Sequence, residues 1–147
     1  MCQYILDTDS VSLLLRNHPR IIANAEQYRF AITIVTVQEQ FNGWVPLINN
    51  IKEAGDINQV VRLSELYTKL WKNVQFYQNQ TILNFTPEAA EVLKQLLREN
   101  RALRKTKIQK DMRIAAIALS IGATVVTRNR RDFGQVPGLN IEDWTLS

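Results

Sequence analysis

The sequence predicts an α/β fold of three layers, a mostly parallel central sheet of four to five strands between helices. Three observations predict it. Short apolar runs alternate along the chain with segments of helical periodicity. The run from Ala31 to Val35 is β-branched and lacks polar alternation, the pattern of a strand buried on both faces of a parallel sheet. No linker, repeat or low-complexity tract divides the 147 residues, so 1–147 reads as a single domain.

Gln3 to Leu6 reads as the first strand, with Asp9 or Ser10 able to cap a helix through Leu13, Leu14 and Leu15. Pro19 opens a second short helix. After the Ala31–Val35 strand, Thr36-Val37-Gln38-Glu39 has the spacing of a capping box. From Val60, the positions Leu63, Tyr67, Leu70, Val74 and Tyr77 mark a long amphipathic helix. Ile82 to Phe85 is a third strand, and Thr86-Pro87 starts a helix with threonine as cap and proline at its first position. Lys110 to Ser120 forms another helix, ended by Gly122. Thr124 to Val126 gives a fourth strand and Leu139 to Ile141 a fifth.

Composition narrows the function classes. No apolar run approaches the ~20 residues of a membrane span; the stretch from Ala31 to Val37 is interrupted by Thr33 and Thr36. Acid arrives at Asp7, too early for a signal peptide. The single cysteine, Cys2, cannot form an internal disulfide and fits a reducing cytoplasm. One histidine, His18, beside one cysteine argues against structural zinc. Arg98, Arg101, Arg104, Lys105, Lys107, Lys110 and Arg113 crowd one stretch, and Arg128, Arg130 and Arg131 another. Basic residues beside acids suit a polyanionic substrate whose phosphates need both cationic side chains and a metal, although a solvated helix face explains the first cluster equally well.

In open sheets of this class ligands bind at the carboxyl ends of the strands. Asp7 sits just past strand one, Glu39 past strand two, and Asn129 with Asp132 past strand four. A buried carboxylate at Asp7 needs a cation or several donors. Asp9 has an adequate reading as a cap and Glu39 as part of a capping box. Asp111 lies in a first helical turn, where the macrodipole favours negative charge, and Asp132 suits a turn from Asn129. The acids gain meaning from lying together at one end of the sheet.

The chain resembles the PIN-domain ribonucleases, most closely the VapC-type toxins of toxin–antitoxin pairs. The matching residues are Ile5-Leu6-Asp7-Thr8-Asp9, Glu39 after Ile34-Val35-Thr36, and the block from Asp111 to Trp144. That block holds Asp-x-x-Ile-Ala-Ala, Val-Thr-Arg-Asn, Asp-Phe and the Val136-Pro137-Gly138-Leu139 turn. Gln40-Phe41-Asn42 before Gly43 departs from the usual leucine-containing turn. The resemblance implies a PIN-like fold in which Asp7, Glu39 and Asp111 surround Mg²⁺ or Mn²⁺ and Asp132 supplies a fourth catalytic acid. Thr127 and Asn129, with Asp9, would orient ligands or water. It also implies an RNA substrate, a cognate antitoxin and a homodimer.

The expected reaction is in-line attack of an activated water on an RNA phosphodiester, leaving a 5′-phosphate and a 3′-hydroxyl. Arg128, Arg130, Arg131, Lys110 and Arg113 would hold the strand without reading its sequence. Hard oxygen donors select magnesium or manganese over zinc. Two alternatives stand beside this reading. Asp7-Thr8-Asp9-Ser10-Val11 also fits the nucleophile motif of a phosphoaspartyl hydrolase, which would leave Glu39 idle. The fold could also serve as a catalytically silent binding scaffold.

Overall fold

The computed structural model describes residues 4–146. Cys2 and Gln3, the latter expected to open the first strand, lie outside the described residues. The expected three-layer α/β fold is the fold found. Its sheet is parallel throughout, in the order β3-β2-β1-β4-β5: β1 Tyr4–Leu6, β2 Phe30–Thr33, β3 Ile82–Leu83, β4 Thr124–Val126 and β5 Ile141–Glu142. Helices α1 (Thr8–Leu15), α2 (Pro19–Gln27), α3 (Ile34–Asn49), α4 (Gln59–Gln78), α5 (Pro87–Glu99), α6 (Gln109–Ile121) and α7 (Arg130–Phe133) connect the strands. Two 3-10 turns, Arg101–Arg104 and Thr106–Ile108, lie between α5 and α6. No helix among the described residues is long and apolar enough to cross a membrane.

The chain forms two compact units, one running to Thr36 and resuming at Thr81, the other being Val37–Gln80. The first contains the sheet. Strands leave β1 in both directions, so right-handed crossovers put α1 and α2 on one face and α5 and α6 on the other. Ile5 and Val125 pack with Ala89, Leu96, Met112, Ala115 and Phe133 in one core. Leu6, Ile32 and Val126 alternate with them along the pleat and are equally buried. Tyr4, Tyr28 and Trp144 form an aromatic cluster, with centroids 5.2 Å apart for Tyr4–Trp144 and 5.4 Å for Tyr4–Tyr28.

In the second unit, α4 turns Leu66, Asn73 and Tyr77 inward, and Phe41 of α3 meets Tyr77 edge-on at 6.2 Å. Tyr67, expected on the apolar stripe, is 54% exposed. The stripe runs instead through Leu66, Leu70 and Tyr77, spacings that also keep one face. Pro46 sits inside α3 and removes one backbone donor there.

Several boundaries differ from those the sequence predicts, for identifiable reasons. The strand expected over Ala31–Val35 stops at Thr33, because the Thr33 hydroxyl accepts from the Thr36 backbone N–H at 3.3 Å and starts α3 at Ile34. Thr36 is therefore inside the helix, and the capping box expected from Thr36 to Glu39 does not form. The α1 cap is Asp7 and not Asp9 or Ser10: its Oδ1 accepts from the Ser10 N–H at 2.8 Å. Strand three is confined to Ile82–Leu83, since Thr86 caps α5 by accepting from the Ala89 N–H. The last strand is Ile141–Glu142, displaced from Leu139 by the Gly138 turn at φ 78°.

Candidate active site

Sheet connections diverge between β1 and β4, and the crevice beyond their carboxyl ends is where such folds bind ligands. Two hydrogen bonds join the ends of β1 and β4, and a third joins the ends of β1 and β2. The Asp7 N–H donates to the Val126 carbonyl at 3.1 Å, and the Ser10 hydroxyl donates to the same carbonyl at 3.0 Å. The Thr8 and Thr36 hydroxyls meet at 3.0 Å, tying the first turn of α1 to that of α3. Ser10, Thr33, Thr36 and Thr127 are buried there. The resemblance assigned no role to Ser10, Thr33 or Thr36; hydroxyls just past two strand ends were the available signal.

Asp7, at 4% exposure, is the most deeply placed acid. Burial pushes its carboxyl above the ordinary value, and hydrogen bonds with Thr127 and Ser10 pull partly the other way. Thr127 also accepts from the Asn129 backbone N–H at 2.9 Å. The Asn129 amide nitrogen in turn donates to Asp132 Oδ2 at 2.8 Å and to Asp111 Oδ2 at 3.3 Å. Asp111 and Asp132 are thus joined through Asn129, and Asp7 faces the same strand end, where the Thr127 side chain helps to stabilise its charged form. Asn129 has a second task. Its Oδ1 accepts from the Asp132 N–H at 3.3 Å and caps α7, so Asp132 sits in a helical turn where a simple turn was expected.

Asp132 is held below the usual carboxylate range, first by the Asn129 hydrogen bond and then by Arg131, 3.3 Å away, and the more distant Lys107. Gly134 makes its turn possible, because a Cβ there would fall 2.3 Å from the Arg130 carbonyl oxygen. Nothing in the sequence reading had singled this glycine out.

The remaining expected residues are placed as follows. Asp9 is bound by Arg128, whose Nε and an Nη donate to its two oxygens at 2.7 and 2.9 Å. Arg113 lies roughly opposite Asp111 around α6, two residues being about 200° of helical turn. Lys110 precedes Asp111 in the first turn of α6, and Arg130 is exposed on α7. Glu39 lies in the second unit, one turn after Thr36 along α3.

The donors present are oxygen only, the chemistry of a hard divalent cation. Asp7 satisfies a further requirement, since a cation would offset the desolvation that neutral hydrogen bonds only partly relieve. Among the described residues, no three His, Cys, Asp or Glu side chains stand close enough to hold a metal ion in their present rotamers. The acids are held by Asn129, Thr127 and Ser10 instead. Donor chemistry therefore fits a cation.

An all-parallel sheet with carboxylates gathered at its switch point is the arrangement expected of a PIN-like fold. No family model matches the chain. It is similar to Ribonuclease VapC1 of Haemophilus influenzae, 29% identical over 97% of this chain and 98% of that protein. The tRNA(fMet)-specific endonuclease VapC of Salmonella typhimurium is 26% identical, over 98% of this chain and 99% of that protein. Among solved structures, DNA-bound VapBC from Salmonella typhimurium matches with a TM-score of 0.71 and 25% identity, covering 98% of this chain and 99% of that one. VapBC-1 from nontypeable Haemophilus influenzae matches in fold with a TM-score of 0.73 at 20% identity, over 97% and 98% of the two chains. In both sequence and fold the chain is similar to VapC-type PIN-domain proteins.

Proposed function

We propose that the chain is an endoribonuclease that acts as the toxin of a toxin–antitoxin pair. The observation carrying this reading is the buried Asp7 at the end of β1, beside Asp111 and Asp132 joined through Asn129 after β4, at the sheet's switch point. Full-length similarity to proteins named ribonuclease and endonuclease supports the substrate class. Asp7 and Asp111 would hold Mg²⁺ or Mn²⁺. Glu39 joins them on the sequence resemblance alone. A bound divalent cation supplies a lowered pKa for a water and charge neutralisation at the phosphate.

The chain's own residues do the rest. Thr127 and Ser10 fix the Asp7 carboxylate, and Asn129 fixes the spacing of Asp111 and Asp132. Arg130 and Arg131, at the start of α7 after β4, meet flanking phosphates without reading bases. Apolar side chains exposed in the second unit, among them Ile57, Val61 and Trp71, support a protein partner such as an antitoxin or a second copy.

Glu39→Gln tests the reading. Without a capping box to maintain, the substitution is expected to leave the fold intact and abolish metal-dependent cleavage. Retained cleavage removes Glu39 from the site. End-group analysis is expected to find 5′-phosphate and 3′-hydroxyl products; a 2′,3′-cyclic phosphate would overturn water as nucleophile. A phosphoaspartyl hydrolase would instead form a beryllofluoride adduct at Asp7, and a silent scaffold would cut no RNA with any metal.

A further inference from the structure

On the side of α6 away from Asp111, the first unit contains a cavity of about 180 Å³ between α5, the 3-10 turns and α6. Leu93, Leu97, Leu103 and Met112 line its apolar part, and Lys105, Gln109 and Arg113 are polar lining residues. No acid lines it. Arg104 also borders the cavity, but its guanidinium donates to the Leu97 and Arg98 carbonyls at 2.6 and 3.3 Å, which occupies it in closing α5. Among the described residues, neither Lys105 nor Arg113 takes part in an ion pair.

An apolar recess with a few convergent polar groups is the usual form of a small-molecule site. Here those groups are two cations and an amide, which selects an anion with a flat apolar part. We propose that this cavity is a nucleotide subsite for the RNA substrate, in which a base lies against Leu93 and Leu97, over the buried Met112, while its phosphate meets Lys105 and Arg113. Gln109 offers one donor and one acceptor on a single amide, the pair that matches an adenine edge. The subsite rests on the RNA-cleaving reading above and adds to it a second grip on the strand. The Thr106–Ile108 turn separates the two places and carries Lys107, a cation whose field reaches Asp132, so a strand between them passes over positive charge.

The sequence supplies a reporter, for it holds two methionines, and Met112 borders the cavity. In Asp111→Asn protein with ¹³C-methyl methionine, a short adenine-containing single-stranded RNA or AMP is expected to shift the Met112 signal saturably. UMP should shift it less, and inorganic phosphate alone should leave it unmoved. Lys105→Ala with Arg113→Ala should weaken the AMP response several-fold, and Gln109→Leu should erase the preference for AMP over UMP. RNA that binds by fluorescence anisotropy, and is cut by the native chain, while Met112 stays silent would overturn the subsite and leave the nuclease reading intact. A full shift with phosphate alone reduces the place to an anion site. A shift driven by protein concentration alone makes its occupant a second copy. Absence of any RNA binding overturns both readings together.

Discussion

Asp7 caps α1 and also contributes the most buried carboxylate of the pocket, and asparagine can perform the first task as well as aspartate. Burial raises the Asp7 pKa, so the folded chain keeps this proton longer than the unfolded chain. Its contribution therefore turns unfavourable as pH rises from its ordinary value of 3.8 through the raised folded value. Asp132 has the opposite sign. Its stabilisation is fully present above 3.8 and is lost as pH falls through its lowered folded value. In EDTA at neutral pH, Asp7→Asn is expected to raise the melting temperature and Asp132→Asn to lower it, while both lose cleavage. Shifts of the same sign would contradict the electrostatic assignment. Asn129→Asp should keep the α7 cap, remove the amide donor and add a third charge beside Asp111 and Asp132. It is expected to melt earlier than the native chain in chelator, with added Mg²⁺ narrowing the gap.

Among the elements, α7 is the most exacting, a single turn that presents Asp132 between an asparagine cap and Gly134. Gly134→Ala would press a methyl onto the Arg130 carbonyl, so it should lower the melting temperature and reduce cleavage by displacing Asp132. Normal stability in that variant would show that the turn yields freely. Arg128 just before α7 and Arg130 and Arg131 within it are basic, but Arg128 is engaged with Asp9 and Arg131 with Asp132. Replacing all three with alanine should reduce the slope of log affinity against log salt by at most about 2, from ~0.7 per phosphate contact on a single strand. An unchanged slope assigns them to the solvated surface. Helices with Thr86-Pro87 and Gly122 at their ends were legible in the sequence because cap, proline and glycine act within a few residues. The start of α3 was not, since Thr33 and Thr36 both make plausible caps and strand pairing ends first at Thr33. The acids after β1 and β4 were legible as strand-end residues. The role of Asn129 was only half visible, because one amide serving a cap and two carboxylates is a property of the folded loop. Asp9 was read as a cap for a similar reason: its partner Arg128 follows β4, where no local pattern reaches.

At the scale of the whole molecule, ligation and folding are linked. A cation bound only by the folded pocket should stabilise the native chain by mass action, about 2.7 kcal/mol at a hundred times the dissociation constant. Asp111→Asn should gain much less from added Mg²⁺; an equal gain would place cation binding elsewhere. The adjacency of β1 and β4 also sets an order in time. Asp7 is made early, while its neighbour strand begins at Thr124 and the turn bearing Asp132 follows that. At roughly 5–20 residues per second, synthesis separates residues 7 and 132 by about 6–25 s. During that interval the growing chain holds its first acid at the end of a strand whose β4 partner does not yet exist. A ribosome making this protein is therefore not exposed to the activity proposed for it until residues 124–133 have been made, whereas α1 to α4 emerge well before. A partner that recognises those helices can be in place before the pocket closes.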